Sequence, residues 1–323
     1  METDCKHIAP TDDTFTGRMR FHQSWYRRHV LGLPPGPNPS ARGELYGNML
    51  CEKDGKAGWN FVTGAVHAYA DGRLAKDPTH IEEERLRNNL LSSQPMCFNL
   101  FAPLDLDRNL ATRLIRALPG FEHVARVTDV KLEYAPTPKE DFLNDGTSFD
   151  AWVEYERRSD GALGFVAIET KLTEPFSPTH RDFTERYRRW KVEPAWWWRD
   201  GAEDHFPNKL YNQLWRNHLL AFALRYQKAL KYAECFCAVV SHPQDVSCPK
   251  AVTDYGGHLL PAGKETLLPW SLETLINAWL PLAATREETS WLQAFRLRYL
   301  DLDASEPAWQ QWQGTGSRTA RQA

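Results

Sequence analysis

The sequence lacks the residue spacings that mark zinc sites, disulfide frameworks and histidine-based metal centres. Its eleven histidines include no HxH or HExxH grouping, and its cysteines include no CxxC pair. The six cysteines stand at positions 5, 51, 97, 235, 237 and 248. Such scattered cysteines are typical of free thiols in a reducing compartment, so we expect neither disulfides nor structural zinc.

An excess of positive charge and long apolar runs are also missing. The 39 basic and 42 acidic residues give a formal net charge of −3. This lacks the strongly basic balance of many nucleic-acid binders but still allows a local basic groove. No run of about 18 apolar residues occurs, so we expect no membrane-spanning helix. The polar start METDCKHIAPTDD does not resemble a signal peptide, and we expect a cytoplasmic protein.

What is present is the balance of a globular protein, with 42% hydrophobic and 25% charged residues in 323. We predict an N-terminal extension over 1–78 that packs on a core domain over 79–303. A loop-rich insert rich in Trp and Arg occupies 174–206, and we expect the tail 304–323 to be disordered.

The order of predicted elements indicates an α/β fold. A helix over 79–94 begins with a Thr79/Glu82 capping box, and Asp105 or Asp107 caps a further helix. Alternation predicts strands, and a long amphipathic stretch with Pro near its start predicts a crossover helix. The strands cover 121–135, 149–157, 163–171 and 234–241, the crossover helix 207–230, and later helices 271–279 and 288–300. Short links make the first three strands antiparallel, and the crossover allows the fourth to lie parallel to the third.

The second and third strands form a hairpin that gathers polar side chains. If Asp160 and Gly161 are the two central turn residues, Asp150 lies directly opposite Lys171, and Glu169 is diagonal to Asp150. Side chains of such pairs share one face, with Cβ atoms about 5 Å apart, or about 7 Å for diagonals. A slip of one residue would move Asp150 to the other face.

Two carboxylates beside an ammonium suit phosphodiester cleavage. The carboxylates are hard oxygen ligands for Mg²⁺ or Mn²⁺, and the metal would activate water and stabilise phosphoryl charge. Lys171 would orient or deprotonate the attacking water, or neutralise developing charge. On the hairpin alone, a surface ion-pair cluster worth about 0–1 kcal/mol is an equal alternative.

Asp150, eighteen further residues and then Glu169-Thr170-Lys171 resemble the D…(D/E)xK signature of the PD-(D/E)XK nuclease superfamily. Other stretches are similar to a bacterial group of restriction-endonuclease-like proteins, and the resemblance covers about residues 14–300. These stretches are Ser92-Ser93-Gln94, CFNLF at 97–101, GWNF at 58–61 and YNQLWRN at 211–217. Phe149 stands where the name-giving Pro would be. The resemblance implies a restriction-endonuclease-like αβββαβ core with a central mixed four-stranded sheet flanked by helices. Helical additions would lie at both ends, and the active centre would bind a divalent metal.

Related nucleases suggest two more site residues. Gln213 lies on the crossover helix, where such enzymes carry a Gln that supports the catalytic Lys or the substrate. Arg216 and Asn217 share its face, and we predict that Arg216 contacts nucleic acid. Glu84, on the first core helix, is a candidate third metal ligand. An ordinary polar helix face for Gln213 and a solvated charge run for Glu84 are the alternatives.

The insert contains a basic segment, 181–199, with a charge of +3 from six basic and three acidic residues. Its Arg186, Arg188, Arg189 and Lys191 are candidate phosphate contacts, and its Trp residues would either stack on bases or form the core of an extra lobe. We therefore expect a Mg²⁺-dependent DNA endonuclease in restriction or phage defence. The alternative is a non-catalytic nucleic-acid-binding or assembly module with the same fold. DNA is the expected partner, a membrane is not, and homodimerisation stays open.

Overall fold

A computed structural model describes residues 5–177 and 181–319, and the chain forms two compact units. The first unit comprises Met1–Leu100 with Ala283–Ala323, and the second comprises Phe101–Leu282. These divisions fall at residues 100 and 282 rather than at the predicted 78 and 303. Within the described ranges, no helix combines the length and apolar character needed to cross a membrane.

Thirteen α-helices and seven strands are described. The helices are α1 (Thr14–Tyr26), α2 (Glu52–Lys56), α3 (Gly64–Lys76), α4 (Glu83–Asn88), α5 (Ser93–Leu106), α6 (Arg108–Arg116), α7 (Glu185–Arg188), α8 (Asn212–Tyr226), α9 (Ser247–Gly256), α10 (Pro261–Glu265), α11 (Leu272–Trp279), α12 (Arg286–Tyr299) and α13 (Glu306–Thr319). The strands are β1 (Gly36–Pro37), β2 (Leu45–Tyr46), β3 (Val124–Tyr134), β4 (Phe149–Arg157), β5 (Leu163–Lys171), β6 (Glu234–Ser241) and β7 (Leu267–Ser271).

Helix starts show which sequence signals were reliable. Asp107 caps α6 by accepting hydrogen bonds from the backbone N–H groups of Asn109 and Leu110, which confirms one of the two predicted caps. The capping box predicted at Thr79 does not form, because α4 begins only at Glu83. The helix predicted over 79–94 is shorter than expected, because α4 ends at Asn88, and the next helix begins at Ser93.

Most of the tail 304–323, for which disorder was predicted, is helical, and residues 320–323 lie outside the described residues. Helix α13 covers Glu306–Thr319, and the rings of Trp309 and Trp312 lie 5.0 and 5.5 Å from that of Phe21 on α1. Tryptophans bury large apolar areas and favour such tilted ring contacts. The sequence did not predict this helix, because the residues around the two tryptophans are polar and give no clear apolar pattern.

The second unit is built on a mixed five-stranded sheet in the order β3-β4-β5-β6-β7. Strands β3, β4 and β5 form the predicted antiparallel meander, and β6 lies parallel to β5 after the α8 crossover. Strand β7 adds a fifth, parallel edge strand that the four-stranded prediction missed. Its run LLPWS contains Pro269, which argues against a strand in sequence but is tolerated at a sheet edge.

The β4–β5 hairpin has a register two residues away from the predicted one. Ala151 pairs with Ile168 and Glu156 with Leu163, so Asp150 continues the ladder opposite Glu169 rather than Lys171. The backbone N–H of Arg157 donates to the carbonyl of Ala162 at 2.9 Å, so four residues rather than two make the loop. A two-residue shift preserves the side-chain faces, and the predicted shared face is therefore retained.

The insert over 174–206 contributes to the main core of the second unit. Trp196, Trp197 and Trp198 are 3%, 2% and 1% exposed, and they belong to the same apolar cluster as α8. The Trp197 ring lies 4.8 Å from that of Phe222 on α8. These three tryptophans are therefore core residues, but of the main core and not of the separate lobe that the sequence suggested.

Candidate active site

Strands β4 and β5 bring the three motif residues to one edge of the sheet. Asp150 is the second residue of β4. Glu169 and Lys171 are the third-last and last residues of β5, so their side chains lie on the same face of the strand. Glu169 is 2% exposed and Lys171 is 6% exposed. Buried charged groups are costly unless they are paired and hydrogen-bonded, so this position implies a compensating network.

Gln213 at the start of α8 links the two charges of β5. The Lys171 Nζ atom lies 2.7 Å from Glu169 Oε1 and donates to Gln213 Oε1 at 3.1 Å. The Gln213 side-chain amide in turn donates to Glu169 Oε1 at 2.8 Å. The backbone N–H of Ser177 also donates to Gln213 Oε1, at 2.7 Å, which fixes the amide in this orientation. Gln213 therefore contacts the motif lysine, and its role in supporting that lysine or the substrate stays a prediction.

Asn217 completes the environment of Glu169. Its Nδ2 donates to Glu169 Oε2 at 2.6 Å, and the residue is 2% exposed. Sequence reasoning placed Asn217 on the same helix face as Gln213 but did not count it as a site residue. The signal was its spacing of four residues from Gln213, because such residues are neighbours on a helix surface.

Asp150 is held by the backbone and side chain of the residue between Glu169 and Lys171. Thr170 donates to Asp150 Oδ2 from its backbone N at 2.7 Å and from its hydroxyl at 2.8 Å. Burial, reinforced by the negative charge of Glu169, raises the pKa of Asp150 to about 7. Although burial disfavours an ammonium, Glu169 and Asp150 together raise the pKa of Lys171 above its usual value.

The donor set fits a hard divalent cation. Burial and, after it, the negative charge of Glu169 disfavour the charged form of Asp150, and a cation between the two carboxylates would relieve both effects. Mg²⁺ typically takes one or two carboxylates and completes its shell with water and substrate phosphate. Among the described residues, no group of three His, Cys, Asp or Glu side chains could hold a metal ion. Glu84 lies in the first unit with an exposed side chain, and its metal-binding role stays a prediction.

The predicted nucleic-acid contacts fall into two groups. Arg186, Arg188, Arg189 and Lys191 are exposed on the insert. Arg216 differs from the prediction, since it is only 7% exposed and its Nη1 donates to Thr147 Oγ1 at 2.9 Å. The same guanidinium lies 3.5 Å from Asp145. Arg216 therefore braces the loop before β4 and does not present its charge to solvent.

A model of the PD-(D/E)XK nuclease superfamily matches residues 10–301, which is nearly the whole chain. No curated protein and no solved structure matches the chain.

Proposed function

The chain belongs to the PD-(D/E)XK nuclease superfamily, and we propose that it is a metal-dependent DNA endonuclease centred on Asp150, Glu169 and Lys171. The observation that carries this proposal is the meeting of two carboxylates and a buried ammonium at the ends of β4 and β5. Helix α8 supports them through Gln213 and Asn217. A surface ion-pair cluster would not require this burial or these amide donors.

Asp150 and Glu169 would hold Mg²⁺ or Mn²⁺. When bound, such a metal polarises a phosphoryl oxygen and lowers the pKa of water. The raised pKa of Lys171 favours its ammonium form, so we assign it to orienting the attacking water and neutralising charge on the phosphoryl oxygens. Water attacks phosphorus, the bond from phosphorus to the leaving oxygen breaks, and the leaving oxygen gains a proton. Gln213 and Asn217 hold Glu169 in place, and Gln213 also positions Lys171.

The substrate and biological setting are further parts of the proposal. Exposed Arg186, Arg188, Arg189 and Lys191 supply cations for the phosphates of a DNA strand. A soluble cytoplasmic enzyme acting in restriction or phage defence is consistent with this chemistry. The assignment of that role rests on the sequence resemblance to restriction-endonuclease-like proteins.

Cleavage of supercoiled and linear plasmid tests the proposal. We expect wild type to nick or cut DNA with Mg²⁺ or Mn²⁺, EDTA to stop the reaction, and Lys171→Ala to abolish it. Metal-independent cleavage, or cleavage that survives Lys171→Ala, would contradict the assignment. DNA binding by wild type with no cleavage under any of these metals would favour the non-catalytic module instead.

A further inference from the structure

A cavity of about 530 Å³ lies in the second unit, close in the chain to the start of β4. One wall is the loop before β4, and the other is the insert. Its lining includes Lys139, Asn144, Gly146, Arg181, Arg186 and Tyr187. The volume falls in the range of about 300–1,000 Å³ that is usual for small-ligand pockets.

The lining of the cavity has a positive formal charge. Lys139, Arg181 and Arg186 face two acidic residues in the lining, Asp145 and Asp182. The side chain of Asp145 is 1% exposed and already compensated, because it accepts hydrogen bonds from the Tyr187 hydroxyl and the Thr147 backbone, each at 2.9 Å, and lies beside Arg216. By formal charge the lining therefore has three cations and two carboxylates, and one of the carboxylates, Asp145, already has its own donors.

Two of these cations are available to a ligand. Lys139 and Arg186 are both exposed. Within residues 5–177 and 181–319, the Lys139 ammonium makes no ion pair or hydrogen bond, and the Arg186 guanidinium donates only to the carbonyl of Asn144, at 2.9 Å. An arginine that has a carbonyl but no carboxylate for a partner keeps its full charge for an anion.

The cavity is tied to the candidate active site through α8 and through the chain. Arg216 on α8 binds Asp145 and Thr147 at the cavity wall, while Gln213, one turn earlier, binds Glu169 and Lys171. Asp150 lies five positions after Asp145, a reach of at most about 18 Å in extended chain. Nucleotides of one DNA strand advance about 3.4 Å each, so both places fit along a short stretch of strand.

We propose that this cavity binds a phosphodiester group of the DNA substrate, with its nucleoside, a few nucleotides from the cleaved bond. The inference rests on the proposed function and adds a substrate-binding site to it. Lys139 and Arg186 hold the phosphate from opposite walls. The backbone at Gly146, where a Cβ would meet nothing within 4 Å, leaves room for the strand to approach.

Binding of DNA in EDTA tests this site without any cleavage step. The probes are a short fluorescein-labelled single strand and the matching duplex, read by fluorescence anisotropy at several salt concentrations. The test variant is Lys139→Ala/Arg186→Ala. The matched control is Arg158→Ala/Lys228→Ala, which also removes two exposed cations. Arg158 follows β4 and Lys228 follows α8, so both lie at the opposite end of the sheet from Asp150.

We expect the cavity variant to weaken DNA binding about tenfold relative to wild type and the control. Log affinity falls with log salt, and loss of two phosphate contacts should make this slope less steep, by about 1.4 for the single strand and about 1.8 for the duplex. Both variants should keep the wild-type melting temperature, because all four side chains are exposed.

Equal DNA affinity and salt slope for the cavity variant and wild type would overturn the proposal, as would no DNA binding by wild type. If the proposal fails in this way, calorimetry with a free deoxynucleoside monophosphate is the next measurement. Binding that wild type and the control show and the cavity variant lacks would assign the cavity to a free nucleotide. Normal DNA binding by a wild type that cuts nothing would sink the nuclease proposal and leave this binding site standing.

Discussion

At the scale of single residues, each charge of the candidate centre has its own donors. Asp150 accepts from Thr170, and Glu169 accepts from Lys171, Gln213 and Asn217. Strand alternation and the motif predicted Asp150, Glu169 and Lys171 as site residues, and the resemblance to related nucleases predicted Gln213. The sequence did not predict the role of Asn217, because that contact depends on how α8 is rotated against the sheet.

Asn217→Leu tests whether this donor positions Glu169. The substitution leaves Glu169 Oε2 without its amide partner, so we expect activity and metal affinity to fall by about 10–100-fold. The fall should be in kcat and in metal affinity measured by calorimetry, with KM for DNA nearly unchanged. Gln227→Ala, at the far end of α8, is the control and should behave as wild type. A role in folding alone would lower the melting temperature and leave metal affinity per folded molecule intact.

At the scale of elements, patterns that depend on local periodicity were predictable and those that depend on turn length or packing were not. Strands β4, β5 and β6 have the predicted bounds, since their runs are strongly periodic or apolar. The hairpin register was wrong by two residues, because Asp160-Gly161 also fits a four-residue loop. Strand β7 was missed because Pro269 masks its character.

The insert provides a test of packing against nucleic-acid stacking. Trp197 is buried against Phe222 and lies 5.0 Å from the His218 ring, so Trp197→Ala should lower the free energy of unfolding by about 3–5 kcal/mol. Urea denaturation measures this loss. Trp190→Ala removes a half-buried ring and should cost clearly less. If Trp197→Ala were as stable as wild type but had lost affinity for DNA, the assignment of Trp197 to the core would be contradicted.

At the scale of the whole molecule, the fold class followed from element order, while the division into two units did not. The sequence places 283–323 next to the second unit in the chain, yet these residues belong to the first. Contacts between distant segments decide this, such as those of Trp309 and Trp312 with Phe21. No local pattern reports such pairings, because helical periodicity shows that a face is apolar but not what covers it.

Each unit contains a buried histidine that should make folding sensitive to acid. Burial lowers the pKa of His22 to about 4 and that of His218 to about 3. The unfolded chain binds these protons near pH 6.5. Both groups therefore stabilise the fold above pH 6.5, and this contribution is lost as pH falls from 6.5 towards 4, by up to about 1.4 kcal/mol per pH unit for each histidine.

Urea denaturation between pH 4.5 and 6.5 checks this prediction. The free energy of unfolding should fall with pH in wild type and fall less steeply in His218→Gln, whose side chain does not titrate. His205→Gln, an exposed substitution in the same unit, controls for the change of side chain. Parallel pH dependence in His218→Gln and wild type would show that His218 does not carry the effect.

The most direct test of the central claim is plasmid cleavage by Asp150→Ala in Mg²⁺ and in Mn²⁺. The matched control is Asp160→Ala, which removes an exposed carboxylate from the loop of the same hairpin. We predict that Asp150→Ala binds DNA but does not cleave it, while Asp160→Ala cleaves as wild type does. Cleavage retained by purified Asp150→Ala would contradict a centre built on Asp150, Glu169 and Lys171.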